Sequence, residues 1–245
     1  MWLIYFWVLP LPSSTVLGTI ESMLLLAADT SGKHGSIALA RCEPDGACDA
    51  LEVVALAGGT FSAQLVPQIA ALLTKHNFDK QQIDAFAVAS GPGSFTGLRV
   101  GLAAIKALAE VLAKPIAAVS LLEAVAMAGG VEGDVIAALD AGRNEVYAGE
   151  YEVGATSKRH SERLLTREEF IEAAIAKTVI TPDKTVSDVA RSVALKVIEI
   201  EHPRSDAIAR LGWHKILTGE TVSPEELDAN YIRRSDAEIF SKTSF

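Results

Sequence analysis

Residues 90–101 read SGPGSFTGLRVG, a glycine-punctuated turn between an apolar run, Ala85 to Ala89, and a helical stretch, Leu98 to Leu112. Glycines at 91, 93 and 97 around Pro92 demand an abrupt strand-to-helix reversal through backbone dihedrals that a side chain resists, with Ser94 or Thr96 available as N-cap. A helix that starts so sharply points free N–H groups and a partial positive charge at whatever lies in front of it. An anion site is one reading of the turn; close packing of two backbones is the other. Neither standard phosphate motif fits. A P-loop requires Lys after Gly97, where Leu98 and Arg99 stand, and a dinucleotide fingerprint requires Gly in place of Thr96.

Around this turn the chain alternates. Leu24 to Ala28 is a short apolar run ending at Asp29, a turn follows from Thr30 to Gly35, and a strand pattern resumes from Ser36 to Arg41. Val135 to Leu139 ends in the same way at Asp140, with a turn holding Gly142 and Asn144 and a strand from Glu145 to Tyr151. The two aspartates lie 111 residues apart (140 minus 29), which suggests two similar halves. Between them the pattern gives a strand at 51–56, a helix from Ser62 to His76, a strand from Ile83 to Ala89, the helix to Leu112 and a strand from Ile116 to Val119. Lys114-Pro115 closes the second helix, since proline disfavours helical geometry in the residue before it. In the second half, Arg167 to Ala176, Val186 to Ile198 and Ala207 to Leu217 read as helices and Val179 to Thr181 as a short strand. The pattern specifies an α/β class.

With 245 residues, 49% of them hydrophobic, the chain has ample material for a packed core. A net charge of −9 argues against a surface that grips nucleic acid by itself, which needs clustered Lys and Arg. Cys42 and Cys48 match neither a redox CxxC nor half of a zinc site, so a reduced, cytoplasmic setting is the default. His34, His76, His160, His202 and His214 are scattered without metal-ligand spacing. The apolar run at 2–11 is too short to span a bilayer and has no basic residue before it, so residues 1–22 are expected to stand outside the fold.

The run GPGSFTGLRVGLAAIKALAEVLAKPIAAVSLLEA at 91–124 resembles the signature segment of the bacterial TsaB (YeaZ) family. LLLAADTSGKHGSIALA, ALDAGRNEVYAGEY and PEELDANYIRRSDAE agree with it, and together they cover most of residues 23–238. The resemblance implies an actin-like ATPase (ribonuclease H-like) fold with two related lobes, an N-terminal lobe at 23–120 and a C-terminal lobe at 121–245. It implies a non-catalytic subunit that binds TsaD and supports transfer of a threonylcarbamoyl group to adenosine 37 of tRNA. A TsaE-type ATPase would join the larger assembly, tRNA would be met only through TsaD, and the subunit alone would have room to form a homodimer. The rival reading is a small-molecule kinase or ATPase of the same fold.

In actin-like ATPases the aspartate ending the first strand and the hydroxyl residues after it address nucleotide phosphates and magnesium. Asp29, Thr30 and Ser31 stand there, with Asp140 in the repeat. Both turns lack the Asp-x-Gly-Thr pattern, and the alternative is that the aspartates only set their turns. No cofactor is expected in the isolated chain, with ATP or ADP reserved for the complex. Where TsaD carries a metal-binding His-x-x-x-His pair, this chain places Leu121 and Val125, so no metal and no catalytic residue is expected.

A surface is therefore the expected functional element. The resemblance implies a four-helix interface with TsaD. Its candidates are Leu65, Ile69 and Leu72 on the first helix and Gly97, Leu98, Gly101, Ala104 and Leu108 on the second. The alternative is that both apolar faces are buried within this domain. Family members commonly enter the first helix with His-Ser-Glu, whereas this chain has Phe61-Ser62-Ala63-Gln64, which favours packing by Phe61.

Overall fold

A computed structural model describes residues 22–233; the expected N-terminal extension up to residue 21 lies outside the described residues. In order, the elements are β1 (Met23–Asp29), β2 (His34–Cys42), β3 (Cys48–Ala57), α1 (Phe61–Lys75), β4 (Ala85–Gly91), α2 (Phe95–Leu112), β5 (Ile116–Ser120) and α3 (Leu121–Ala128). The second half repeats them: β6 (Gly133–Gly142), β7 (Glu145–Val153), β8 (Ser157–Thr166), α4 (Arg167–Ala173), β9 (Thr178–Thr181), α5 (Lys184–Ser192), β10 (Val197–Glu199) and α6 (Ser205–Leu217).

Two five-stranded sheets result, ordered β3-β2-β1-β4-β5 and β10-β9-β6-β7-β8. In each, an antiparallel three-stranded meander continues into two parallel strands: β1 pairs with β2 antiparallel and β4 parallel, as β6 pairs with β7 and β9. This is the actin-like arrangement of two ribonuclease H-like sheets. Each central strand is covered on both faces, and its sequence obeys that constraint. In β1, Leu24, Leu26 and Ala28 enter the core beneath α1 and α2, while Leu25 and Ala27 enter a second core with Ile208 and Trp213 of α6.

The last helix of each half crosses over. α3, which follows the first sheet, packs on β6 and β7, and α6, which follows the second sheet, packs on β1, β2 and β4. Small residues allow the second crossing: Ala85, Ala87 and Ala89 form the strip under α6, and a Cβ at Gly212 would overlap that of Ala87. α6, which lies within the expected C-terminal lobe of 121–245, thus completes the first sheet's core. After α6, Val222 makes an antiparallel bridge to Ile116, and the Asn230 N–H donates to the Ser90 carbonyl (2.7 Å), tying the tail to the N-terminal lobe.

Three local expectations change. The helix expected at 186–198 ends at Ser192; Ala194 turns left-handed (φ 59°) and Val197–Glu199 is a strand paired with β9. The ten-residue strand β8 has no counterpart in the sequence reading. Cys42 and Cys48 are directly opposite partners across β2 and β3, and their sulfurs are bonded, where spacing alone gave no reason to pair them.

Candidate functional site

The glycine turn and the first hairpin fill one another. Ser94 is the N-cap of α2, its Oγ accepting from the Gly97 N–H (3.3 Å), and its own N–H donates to the Ser31 carbonyl (2.6 Å). Thr30 Oγ1 donates to the Gly97 carbonyl (2.7 Å). A Cβ at Gly97 would run into the Thr30 carbonyl, one at Gly101 into Thr30 Oγ1, and one at Gly93 would lie 2.8 Å from Ser31 Cβ. These glycines are therefore small because the β1–β2 turn lies against them. Asp29, Thr30 and Ser31 are at most 5% exposed.

The Asp29 carboxylate accepts from the Ser31 N–H (2.8 Å), and burial raises its pKa above the usual carboxylate range, offset in part by Ser31 and His202. Ser31 Oγ is buried without a partner among the described residues. In this arrangement the Asp29 carboxylate serves its own turn, and Gly93 lies close against Ser31. Asp140 performs the same local task at the second hairpin, accepting from Gly142 N–H (2.8 Å), but it is exposed and also accepts from Thr185 Oγ1 (3.0 Å). Its own N–H donates to Asp183, whose other oxygen lies 3.4 Å from His202. Neither Asp183 nor His202 was marked by the sequence, because both act through positions far from any motif.

Leu121 and Val125 both lie on α3 and are buried among Leu122, Val135 and Tyr151. The positions that the resemblance sets against the TsaD histidines are therefore core positions here. Among the described residues no group of three or more His, Cys, Asp or Glu side chains is placed to hold a metal ion, and no helix is long and apolar enough to cross a membrane.

The proposed interface residues are mostly interior. Leu65, Ile69, Leu72, Gly97, Leu98 and Gly101 are buried within the lobe, and only Ala104 and Leu108 are half-exposed. The small-residue face of α2 is thus filled by Thr30 at its Gly97–Gly101 end and opens towards Leu108 and Val111. The free faces of the two helices are instead Val66, Pro67 and Ala70 on α1 and Ala103, Ala107 and Val111 on α2, with Val66 54% and Val111 79% exposed. Beside the start of α2 a cavity of about 320 Å³ opens between the glycine turn, the β6–β7 turn and the tail, lined among others by Phe95, Arg143, Tyr147 and Tyr231.

A family model described as "TsaD: tRNA N6-adenosine threonylcarbamoyltransferase" matches residues 55–197, more than half of the chain. Proteins named "tRNA threonylcarbamoyladenosine biosynthesis protein TsaB" are 28% identical in Haemophilus influenzae, covering 87% of this chain and 95% of that one, and 27% identical in Escherichia coli, covering 88% and 96%. The chain belongs to this family, in its TsaB (YeaZ) branch. A solved structure titled YeaZ from Pseudomonas aeruginosa is 26% identical and superposes with a TM-score of 0.71 over 85% of this chain and 99% of that chain.

Proposed function

We propose that this chain serves tRNA threonylcarbamoyladenosine biosynthesis as a non-catalytic TsaB-type subunit that binds a TsaD-type transferase through the solvent faces of α1 and α2. The observation that carries this reading is the paired run of exposed apolar residues, Val66, Pro67 and Ala70 against Ala103, Ala107 and Val111. Small side chains on two neighbouring helices let a second helix pair approach closely, and water gains nothing from hydrating them. The candidate nucleotide hairpin is closed by the chain's own backbone, which supports an adaptor over a kinase or ATPase. Any need for ATP or ADP, and any TsaE-type ATPase, is assigned to the assembly; tRNA contact falls to the partner, because the chain carries a net charge of −9.

The test is titration with the TsaD-type chain of the same genome. Ala107→Arg places a long cation on the open face without touching the core, so association should fall at least about tenfold, or roughly 1.4 kcal/mol, with an unchanged melting temperature. Retained affinity would sink the assignment. Gly101→Arg is unsuitable, because its side chain would enter the space of Thr30 and unfold the lobe. Sedimentation of the chain alone reports whether a second copy takes the same face.

A further inference from the structure

We propose that the cavity at the start of α2 is an anchor site for an acidic side chain of the protein that docks on α1 and α2, received by Arg99 and Arg143. The inference rests on the docking reading above and adds the chemistry of one contact. Arg143 lines the cavity from the β6–β7 turn and is exposed. Arg99 contacts two of the lining residues, its guanidinium carbon 3.8 Å from the centre of the Phe95 ring and its Nε donating to Tyr231 Oη (3.1 Å). Neither arginine has a carboxylate within ion-pair distance among the described residues, whereas Arg233 on the same wall is paired with Glu145. In a chain with 31 acidic and 22 basic residues, two arginines around one cavity with no carboxylate partner among the described residues are a local inversion of charge.

The two features are continuous. Phe95, Arg99, Ala103 and Ala107 follow one another at intervals of four along α2 and all are exposed, so a partner seated on the alanines extends across the rim. Covering Arg99 without an anion would strand a desolvated charge, which a partner carboxylate would compensate. Stacking on Phe95 and the bond to Tyr231 already fix the guanidinium, so its planar fork meets a carboxylate with little further ordering. Phe95 is itself 42% exposed and packs on Tyr231 at 5.2 Å between ring centres, giving the aromatic-and-arginine make-up of an interface anchor.

The experiment titrates the full chain with the TsaD-type partner at low and high salt. Arg143→Glu and Arg99→Glu should each weaken association at least about tenfold and flatten its salt dependence, with melting temperatures near the parent's. Arg99→Lys, which keeps charge but loses the stacked fork, should fall between. If Ala107→Arg abolishes association while both reversals stay within about twofold, the anchor fails and the docking face stands. If Ala107→Arg has no effect, the docking reading fails and the anchor with it. Calorimetry of the chain alone with inorganic phosphate and with ATP supplies the remaining arm: micromolar binding lost in Arg143→Glu would overturn the proposal in favour of a small-anion pocket.

Discussion

The two hairpin aspartates carry the same local chemistry in opposite surroundings. Asp29 ends β1 and Asp140 stands two residues before the end of β6, and each accepts from the N–H two residues on, at 2.8 Å in both cases. Asp29 is buried under the glycine turn, whereas Asp140 stays open beside Thr185 and Asp183. What the pair teaches is that turn-setting needs only the aspartate, while burial is imposed by a neighbour. In the first half that neighbour is the start of α2, which arrives through three glycines; in the second, α5 brings Thr185 near and stops there.

The sharpest way to break this contrast is at the glycines. Gly97→Ala drives a methyl into the Thr30 carbonyl and should destabilise the fold by about 3 kcal/mol or more, read by denaturant unfolding. Gly142→Ala meets open space and only suffers its positive φ of 69°, so about 1 kcal/mol is expected. The hydroxyls come next. Thr30→Val removes a buried bond to Gly97 and should cost about 1 kcal/mol, against a few tenths for Thr185→Val, whose bond is exposed.

A pH series sharpens the comparison further. An acid whose pKa is raised by folding loses native stability as pH climbs from its ordinary value of 3.8 through the raised one. Asp29→Asn cannot ionise, so its melting temperature should gain on the parent's as pH rises above the ordinary carboxylate value of 3.8; no gain would show that Asp29 is better solvated than its burial implies. The smallest effect belongs to His202, whose pKa is raised by its pairing with Asp183. That contribution is present below about pH 6.5 and is lost as pH rises through the raised value; His202→Gln should cost less than about 1 kcal/mol because the ring is largely solvated.

The sequence made the glycine turn, the two hairpins and most helices legible, because each joins a strong punctuation mark to a clean period. Ser94 as N-cap and the closure of α2 by Pro115 are of that kind. β8 was hidden because SKRHSERLLT is an edge strand, charged on both faces, so the alternation that marks a half-buried strand is absent. The site misled for a different reason. A helix wheel shows that Gly97 and Gly101 leave room for something to approach closely, but not whether that visitor is another chain or Thr30 of the same one. Val66, Ala103 and Ala107, being small and solitary, carried no signal until the opposite faces were seen to be occupied. Arg99, Arg143, Phe95 and Tyr231 come from segments spread over more than a hundred residues, which only tertiary structure brings together.

The crossing of α6 onto the first sheet bears on how the protein is made. During synthesis, residues 23–120 emerge with all five strands of that sheet, yet the face formed by Leu25, Ala27, Ala85, Ala87 and Ala89 lacks the cover of α6 until residues 205–217 leave the ribosome. The nascent N-terminal lobe must wait, half-clothed, while the entire second sheet is translated. A message cut short before Trp213 would yield two correctly ordered sheets and an uncovered apolar floor, a product expected to be captured by chaperones or proteases rather than to reach a partner.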